Sequence, residues 1–290
     1  MIAVIVNPYA TGHGSPEHVS TVLRREGIEA EVVTLTRDVD ITFLAKKLLA
    51  EGHSPIVAAG GDGTVRSVAA AVVTTGGVLG VLPLGGLNHF ARDLGIPASL
   101  DAAARILKTG TVKAVDVAEV NGRMFVNNSG LGLYPQLVEQ REKHRRLGSP
   151  KWIAFFRAAF ATFRRFPFLN VRLIAEGQEF RRRTPFVFVG ANVYHVDGIG
   201  LGSRGSLTGG TLFLGVARRT IGRWGLVWLA FRALLGHMHD ARDVEFLVTR
   251  EIEIASRRRR LHISLDGEVA RIETPLHYRV RPGALQVIAP

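Results

Sequence analysis

The sequence predicts an α/β protein in two parts: an N-terminal doubly wound parallel sheet and a C-terminal antiparallel β-sandwich. Three observations predict this. In the first hundred residues, short apolar runs alternate with stretches of helical period. From about residue 115, strand candidates follow one another with few helices between them. Glycine- or asparagine-bearing turns follow three of the early apolar runs, as at the carboxyl edge of an open, Rossmann-like sheet. The expected division is residues 1–117 and 118–290, with the last residues able to return to the first part.

Residues 2–6 (Ile-Ala-Val-Ile-Val) are wholly apolar and read as a buried strand. Residues 16–26 read as a helix, with Ser15 as N-cap and Pro16 in the first turn. Residues 30–35 are a second strand. Residues 39–51 are helical, with Phe43, Leu44, Leu48 and Leu49 on one face. A third strand at 55–59 runs straight into glycines. A helix at 65–73, a fourth strand at 78–82 and a helix at 100–108 complete the first part. Strands without polar alternation are buried on both faces, which requires helices on both sides of a parallel sheet.

In the second part, strands are expected at 115–120, 123–128, 169–175, 186–191, 211–216, 244–248, 251–255, 261–265 and 285–288. Asn121-Gly122 is a two-residue hairpin signal. Helical inserts are expected near 150–163 and 221–238.

Composition narrows the function classes. An apolar fraction of 47% and a charged fraction of 21% over 290 residues belong to a globular chain. The chain has no cysteine, which excludes disulfides, thiolate metal sites and Cys nucleophiles and suits the cytosol. The strongly apolar stretch 224–231 lies between Arg223 and Arg232, far short of the roughly 20 residues that a membrane span needs. The first residues read as a strand and not as a signal peptide. A net charge of +12 draws the chain to polyanions: nucleotides, anionic lipid or nucleic acid. Its basic clusters are 141–146, 181–183 and 257–260. No zinc-finger or aromatic RNA-binding motif accompanies them, so dedicated nucleic-acid binding is disfavoured.

The chemistry gathers at the strand ends. Asn7-Pro8 follows the first strand, Gly60-Gly61-Asp62-Gly63-Thr64 the third, and Gly85-Gly86-Leu87-Asn88 the fourth. Three turns at one sheet edge can line a single crevice. Glycine lets phosphate oxygens approach the backbone, and the next helix begins near Thr64 with its free N–H groups aimed at the same place. A carboxylate there would repel phosphate. Asp62 therefore either holds Mg²⁺ or fixes the loop through backbone N–H bonds. Taken alone, Asp266-Gly267-Glu268 reads as a hairpin turn.

Gly60-Gly61-Asp62-Gly63-Thr64, the stretch 82–97 with Asn88-His89-Phe90-Ala91-Arg92, Val115-Asp116-Val117, Asn127-Asn128-Ser129-Gly130-Leu131-Gly132 and Leu265-Asp266-Gly267-Glu268 together resemble the diacylglycerol kinase catalytic-domain family. The resemblance is closest to its bacterial diacylglycerol/sphingosine kinase branch. It implies an ATP-dependent lipid kinase that works with Mg²⁺, with ATP held by the first domain and a diacylglycerol-like or sphingoid lipid by the second. Carried over, Asn7, Thr34, Gly60, Gly61, Asp62, Gly63, Thr64, Arg66, Gly86 and Asn88 line the nucleotide site. Glu268 is the general base, Asp266 supports it, and Asp62 and Asp116 are the metal candidates. The resemblance also implies transient binding to an anionic membrane, peripherally at the inner face.

The chain departs from the family pattern in places. Gly86 stands where Thr is usual. His89 stands where many relatives carry Asp. Arg66 replaces a small polar residue, often Asn, which positions it either to contact phosphate or to crowd the site. Thr208-Gly209-Gly210 matches a regulatory Mg²⁺ loop but lacks its Asp. Two rival readings stand beside the kinase: an NAD kinase-like enzyme, which shares the glycine turn, and a catalytically weak nucleotide- or lipid-binding homologue.

Other groupings carry less. Residues 198–202 read as a hairpin and not as a phosphate loop. Ser129 and Ser203 lack a nucleophile-elbow context. His237, His239 and Asp240 fit no zinc spacing. The 151–163 and 221–235 segments mix apolar faces with arginines, as core helices or interfacial helices do.

Overall fold

A computed structural model describes residues 1–10, 15–132, 168–197, 200–217 and 244–290, without the side chains of 196–203 and 217. The expected helical inserts, the 141–146 cluster and the His237–Asp240 grouping lie outside the described residues.

The first part follows the predicted alternation. Its elements are β1 (Ile2–Val6), α1 (Pro16–Arg25), β2 (Ala30–Thr34), α2 (Ile41–Ala50), β3 (Ile56–Gly60), α3 (Asp62–Thr75), β4 (Leu79–Pro83), α4 (His89–Asp93), α5 (Leu100–Thr109) and β5 (Thr111–Val120). β2, β1, β3 and β4 are parallel neighbours in that order. α1 packs beside α5, and α2 beside α3. Right-handed crossovers put these two pairs on opposite faces of the sheet. The all-apolar β3 and β4 are therefore buried throughout, and β1 from Ala3 onward. Ser15 caps α1 by accepting from His18 N–H, and Asp40 caps α2 by accepting from Thr42 and Phe43. Gly76, at φ 83°, ends α3 in the left-handed conformation that favours glycine.

The second part contains β6 (Arg123–Phe125), β7 (Asn128–Gly132), β8 (Leu169–Ala175), β9 (Gln178–Thr184), β10 (Phe186–Ala191), β11 (Tyr194–Asp197), β12 (Gly200–Arg204), β13 (Leu212–Ala217), β14 (Val244–Thr249), β15 (Glu251–Ser256), β16 (Arg260–Leu265), β17 (Glu268–Glu273) and β18 (Leu276–Ala289). One antiparallel sheet runs β14-β13-β10-β7-β16-β17. It faces β18, β15, β8 and β9, and alternate residues fill the space between: Val171, Leu173, Ile252, Ile254 and Tyr278 against Leu131, Val189, Leu214, Ile263 and Ile272.

β18 joins the two parts. Its first half pairs with β15 and β5. After an irregularity between Arg281 and Leu285 it continues along β5, and Val287 pairs in parallel with Leu79 of β4. The 14-residue strand belongs to both halves of one ten-stranded sheet.

Several expectations need correction. α3 begins at Asp62 and not at 65, so the helix takes in most of the glycine turn. Residues 123–128 are not one strand: β6 stops at Phe125 and β7 starts at Asn128. The basic cluster Arg181–Arg183 lies within β9, and neither β9 nor β17 was foreseen. The hairpin expected around 198–202 is the antiparallel pair β11–β12.

Candidate active site

The parallel register fixes one edge of the site. Thr34 ends β2, Asn7 follows β1, Gly60 ends β3, and Gly85 and Gly86 follow β4. The Asn7 amide donates to Thr64 Oγ1 (2.9 Å) and accepts from Tyr9 N–H (3.0 Å), which ties the first turn to α3. A Cβ on Gly60 would stand 2.5 Å from Thr64 Oγ1, so that position requires glycine. The two glycine turns pack backbone to backbone, since a Cβ on Gly85 would reach the Gly61 Cα at 2.5 Å. α3 has no side-chain cap, and its first intrahelical bond is from Val65 N–H to Gly61 O. The amides of the residues before Val65 are those that a helix start presents to an anion.

Asp62 resolves the choice left open by the sequence. Its carboxylate accepts from His89 N–H (3.2 Å) and Phe90 N–H (3.1 Å) at the start of α4. The Asn127 side-chain amide donates to it at 3.4 Å. It fixes the loop.

Asp116 is also engaged elsewhere. Its oxygens accept from Gly210 N–H (2.6 Å) and Gly283 N–H (2.8 Å), which lock the 206–211 segment and the β18 irregularity to β5. Carboxylates faced by N–H donors are poor metal ligands. Among the described residues, no group of three His, Asp or Glu converges on a metal. The metal roles expected for Asp62 and Asp116 do not fit a resident ion, nor does Thr208-Gly209-Gly210, which carries no carboxylate.

Asn88 needs a similar correction as a nucleotide ligand. Its side chain closes on its own turn, with its amide donating to Gly85 O (2.7 Å) and its oxygen accepting from Gly85 N–H (3.0 Å). Gly86 stays exposed at the lip. Beside this turn lies a cleft of about 540 Å³ between α1 and α4, lined by His18, Leu84, Leu87, Arg92 and Ile96 among others.

Across the crevice, Asp266 and Gly267 form a two-residue turn between β16 and β17, at φ 47° and 84°. Positive φ at both positions is the Asp-Gly hairpin geometry. The Asp266 carboxylate accepts from Val126 N–H (2.8 Å), Asn127 N–H (2.8 Å) and Asn128 N–H (3.0 Å). All three bonds turn this carboxylate onto the backbone of residues 126–128. Its clamp holds Glu268, the first residue of β17, over the start of α3. There a Cβ on Gly63 would collide with Glu268 Oε1, and Arg66 donates to Glu268 Oε2. A late carboxylate thus meets the early glycine turn and Arg66, the last of them 202 positions away.

Burial pushes the Asp266 pKa up to about 6, against the pull of its three amides and of Arg66. The folded chain then holds this proton to a higher pH than the unfolded chain, where the group titrates near 3.8. Between those values the folded state binds more protons, so stability from this group falls as pH rises from about 4 to 6 and is level above. Urea unfolding should show wild type losing on the order of 1–3 kcal/mol relative to Asp266→Asn between pH 4 and 7. A difference that does not change with pH would contradict this.

Arg204 and Asp93 were missed by sequence reasoning. Arg204 Nε donates to Asp93 Oδ2 (2.7 Å) and its Nη2 to Asn127 Oδ1 (3.0 Å). A lone arginine in the glycine-rich run 200–205 was the available signal. Ser129, considered as a nucleophile, is fully buried against the Tyr278 hydroxyl (3.0 Å).

Comparisons with known proteins cover almost the whole chain. Residues 1–120 match the diacylglycerol kinase catalytic domain, and residues 134–289 the YegS C-terminal NAD kinase beta sandwich-like domain. The chain is 42% identical over 106 residues to a "Probable lipid kinase YegS-like" of Pseudomonas aeruginosa (36% of this chain, 35% of that protein). It is 35% identical over 142 residues to a diacylglycerol kinase of Bacillus subtilis (47% and 46%). Both matches span less than half of the relative's own length. A crystal structure of a diacylglycerol kinase from Bacillus anthracis superposes with a TM-score of 0.74 at 24% identity, covering 100% of this chain and 96% of that one. At that identity the likeness establishes the fold.

Proposed function

The chain belongs to the diacylglycerol kinase-like lipid kinase family, and from that premise we propose that it transfers the γ-phosphoryl group of ATP to a hydroxyl of a diacylglycerol-like or sphingoid lipid. The observation that carries this reading is Glu268, held over the N-terminus of α3. Phosphoryl transfer needs donors for the moving group's charge and a carboxylate to orient the attacking hydroxyl. The amides of residues 61–64 supply the donors and Glu268 the carboxylate. Thr34, Asn7 and Gly86 border the nucleotide at the sheet edge. Asp266 sets the position of Glu268, and Asp62 sets that of α4 beside the second turn.

Magnesium enters in this reading on the ATP phosphates, as part of the substrate, because the described carboxylates form no resident cage. The lipid must come from a bilayer. β15, β8 and β9 border a cleft of about 700 Å³ lined by Arg172, Arg181, Arg182, Arg183 and Arg257, a basic surface suited to anionic lipid. No helix among the described residues is long and apolar enough to cross a membrane. In this reading the chain makes peripheral, transient contact with an anionic membrane surface.

The test is incubation with labelled ATP, magnesium and a bacterial lipid extract presented in anionic or zwitterionic vesicles, with NAD in a parallel arm. Label in a lipid, with the protein sedimenting on anionic vesicles at low salt, is expected. Label in NAD would point to the NAD kinase-like alternative. ATP binding without any labelled product would point to a non-catalytic homologue.

A further inference from the structure

Resting on the kinase reading, the Arg66–Glu268 pair raises a question of order. Arg66 lies one turn into α3, on the same face as Asp62, and its side chain is 18% exposed. Glu268 stands at the mouth, 56% exposed, with one oxygen on Arg66 and the other over Gly63. The carboxylate therefore occupies both the guanidinium and the helix start. A γ-phosphate reaching the same amides brings more negative charge than a carboxylate and suits the guanidinium fork better. A base bonded to Arg66 also has that oxygen turned away from an incoming hydroxyl.

We infer that Arg66 changes partners during the cycle: it holds Glu268 in the empty enzyme and passes to the γ-phosphoryl group when ATP binds, which frees Glu268 for the acceptor. In the transfer that follows, the acceptor oxygen bonds to the γ-phosphorus and the bond to the β–γ bridging oxygen breaks. ADP departs, and the hydroxyl proton goes to Glu268. The exchange needs only two side chains to move. Arg66 is anchored on a long helix, and the Glu268 turn is clamped by Asp266 onto residues 126–128.

Nucleotide affinities, measured by calorimetry without lipid, test this in wild type, Arg66→Ala, Arg66→Lys, Glu268→Gln and the Arg66→Ala/Glu268→Gln double variant. Arg66→Ala should weaken ATP roughly 10- to 100-fold and ADP hardly at all, because only ATP has the γ-phosphate. Arg66→Lys keeps the charge without the fork and should fall between. Glu268→Gln should tighten ATP about three- to tenfold when Arg66 is present, and less in the Arg66→Ala background. Equal tightening in both backgrounds would mean simple charge repulsion and would overturn the exchange. So would an ATP-to-ADP preference that ignores Arg66. A wild-type chain that binds neither nucleotide overturns the kinase reading itself, and this inference with it.

Discussion

Glu268→Gln is expected to lower kcat by about 10²- to 10⁴-fold, the range that a positioned general base contributes, while ATP affinity tightens. Three carboxylates gather at the crevice, but they are not equivalent. Those of Asp62 and Asp266 are turned onto backbone amides. Glu268 is bonded only to a side chain that phosphate can draw away. Glutamine keeps the shape and one accepting oxygen, and it sits on an exposed position, so folding should be untouched. The measurement is steady-state turnover on whichever lipid takes the label, alongside a urea unfolding curve for each protein. Turnover at the wild-type rate would remove Glu268 from the chemistry. Asp266→Asn should produce a milder defect, since it loosens the turn that aims Glu268 without removing the base.

The fold was legible where local pattern and global architecture agree. Residues 2–6, 56–60 and 79–83 are apolar without alternation, and only a sheet covered on both faces accommodates that. Ser15, Asp40 and Gly76 punctuate the helices between them. Legibility failed where tertiary pairing overrides composition. β9 reads Gln-Glu-Phe-Arg-Arg-Arg-Thr, and its arginines lie along a sheet edge because β8 supplies the ladder. The first half of β18 is broken up by His277, Arg279, Arg281 and Gly283, yet it pairs on both sides. In the site, the glycine turns and Glu268 were readable from motif and resemblance. The work done by Asn88, Asp116 and Asp266 was not, and that of Asp62 was readable only as one of two alternatives. A carboxylate or amide in a turn has the same sequence signature whether it faces a ligand or a backbone N–H, and only coordinates separate the two.

The largest stability effect is expected at a residue that no motif marks. Arg204→Met should cost about 3–5 kcal/mol, as removal of one partner from a buried ion pair does. Side-chain exposure is 0% for Arg204 and 4% for Asp93. The guanidinium also donates to the carbonyls of Val126 and Ala191 and to the side chain of Asn127. Without it, a carboxylate and several acceptors are left enclosed with no donor. Asp93→Leu added to Arg204→Met should recover much of the loss, because an apolar pair of similar volume is often neutral in place of a buried ion pair. Urea unfolding of the two variants decides it. A single-variant loss below about 1 kcal/mol, or a double variant no better than the single, would show that the pair is not the constraint. The consequence reaches the site through a closed ring: Arg204 holds Asn127, Asn127 donates to Asp62, Asp62 caps α4, and α4 ends in Asp93, which returns to Arg204. The ring spans both parts of the chain. Even where Arg204→Met remains folded, ATP should therefore bind more weakly than to wild type, whereas a surface arginine variant such as Arg181→Met should leave it unchanged.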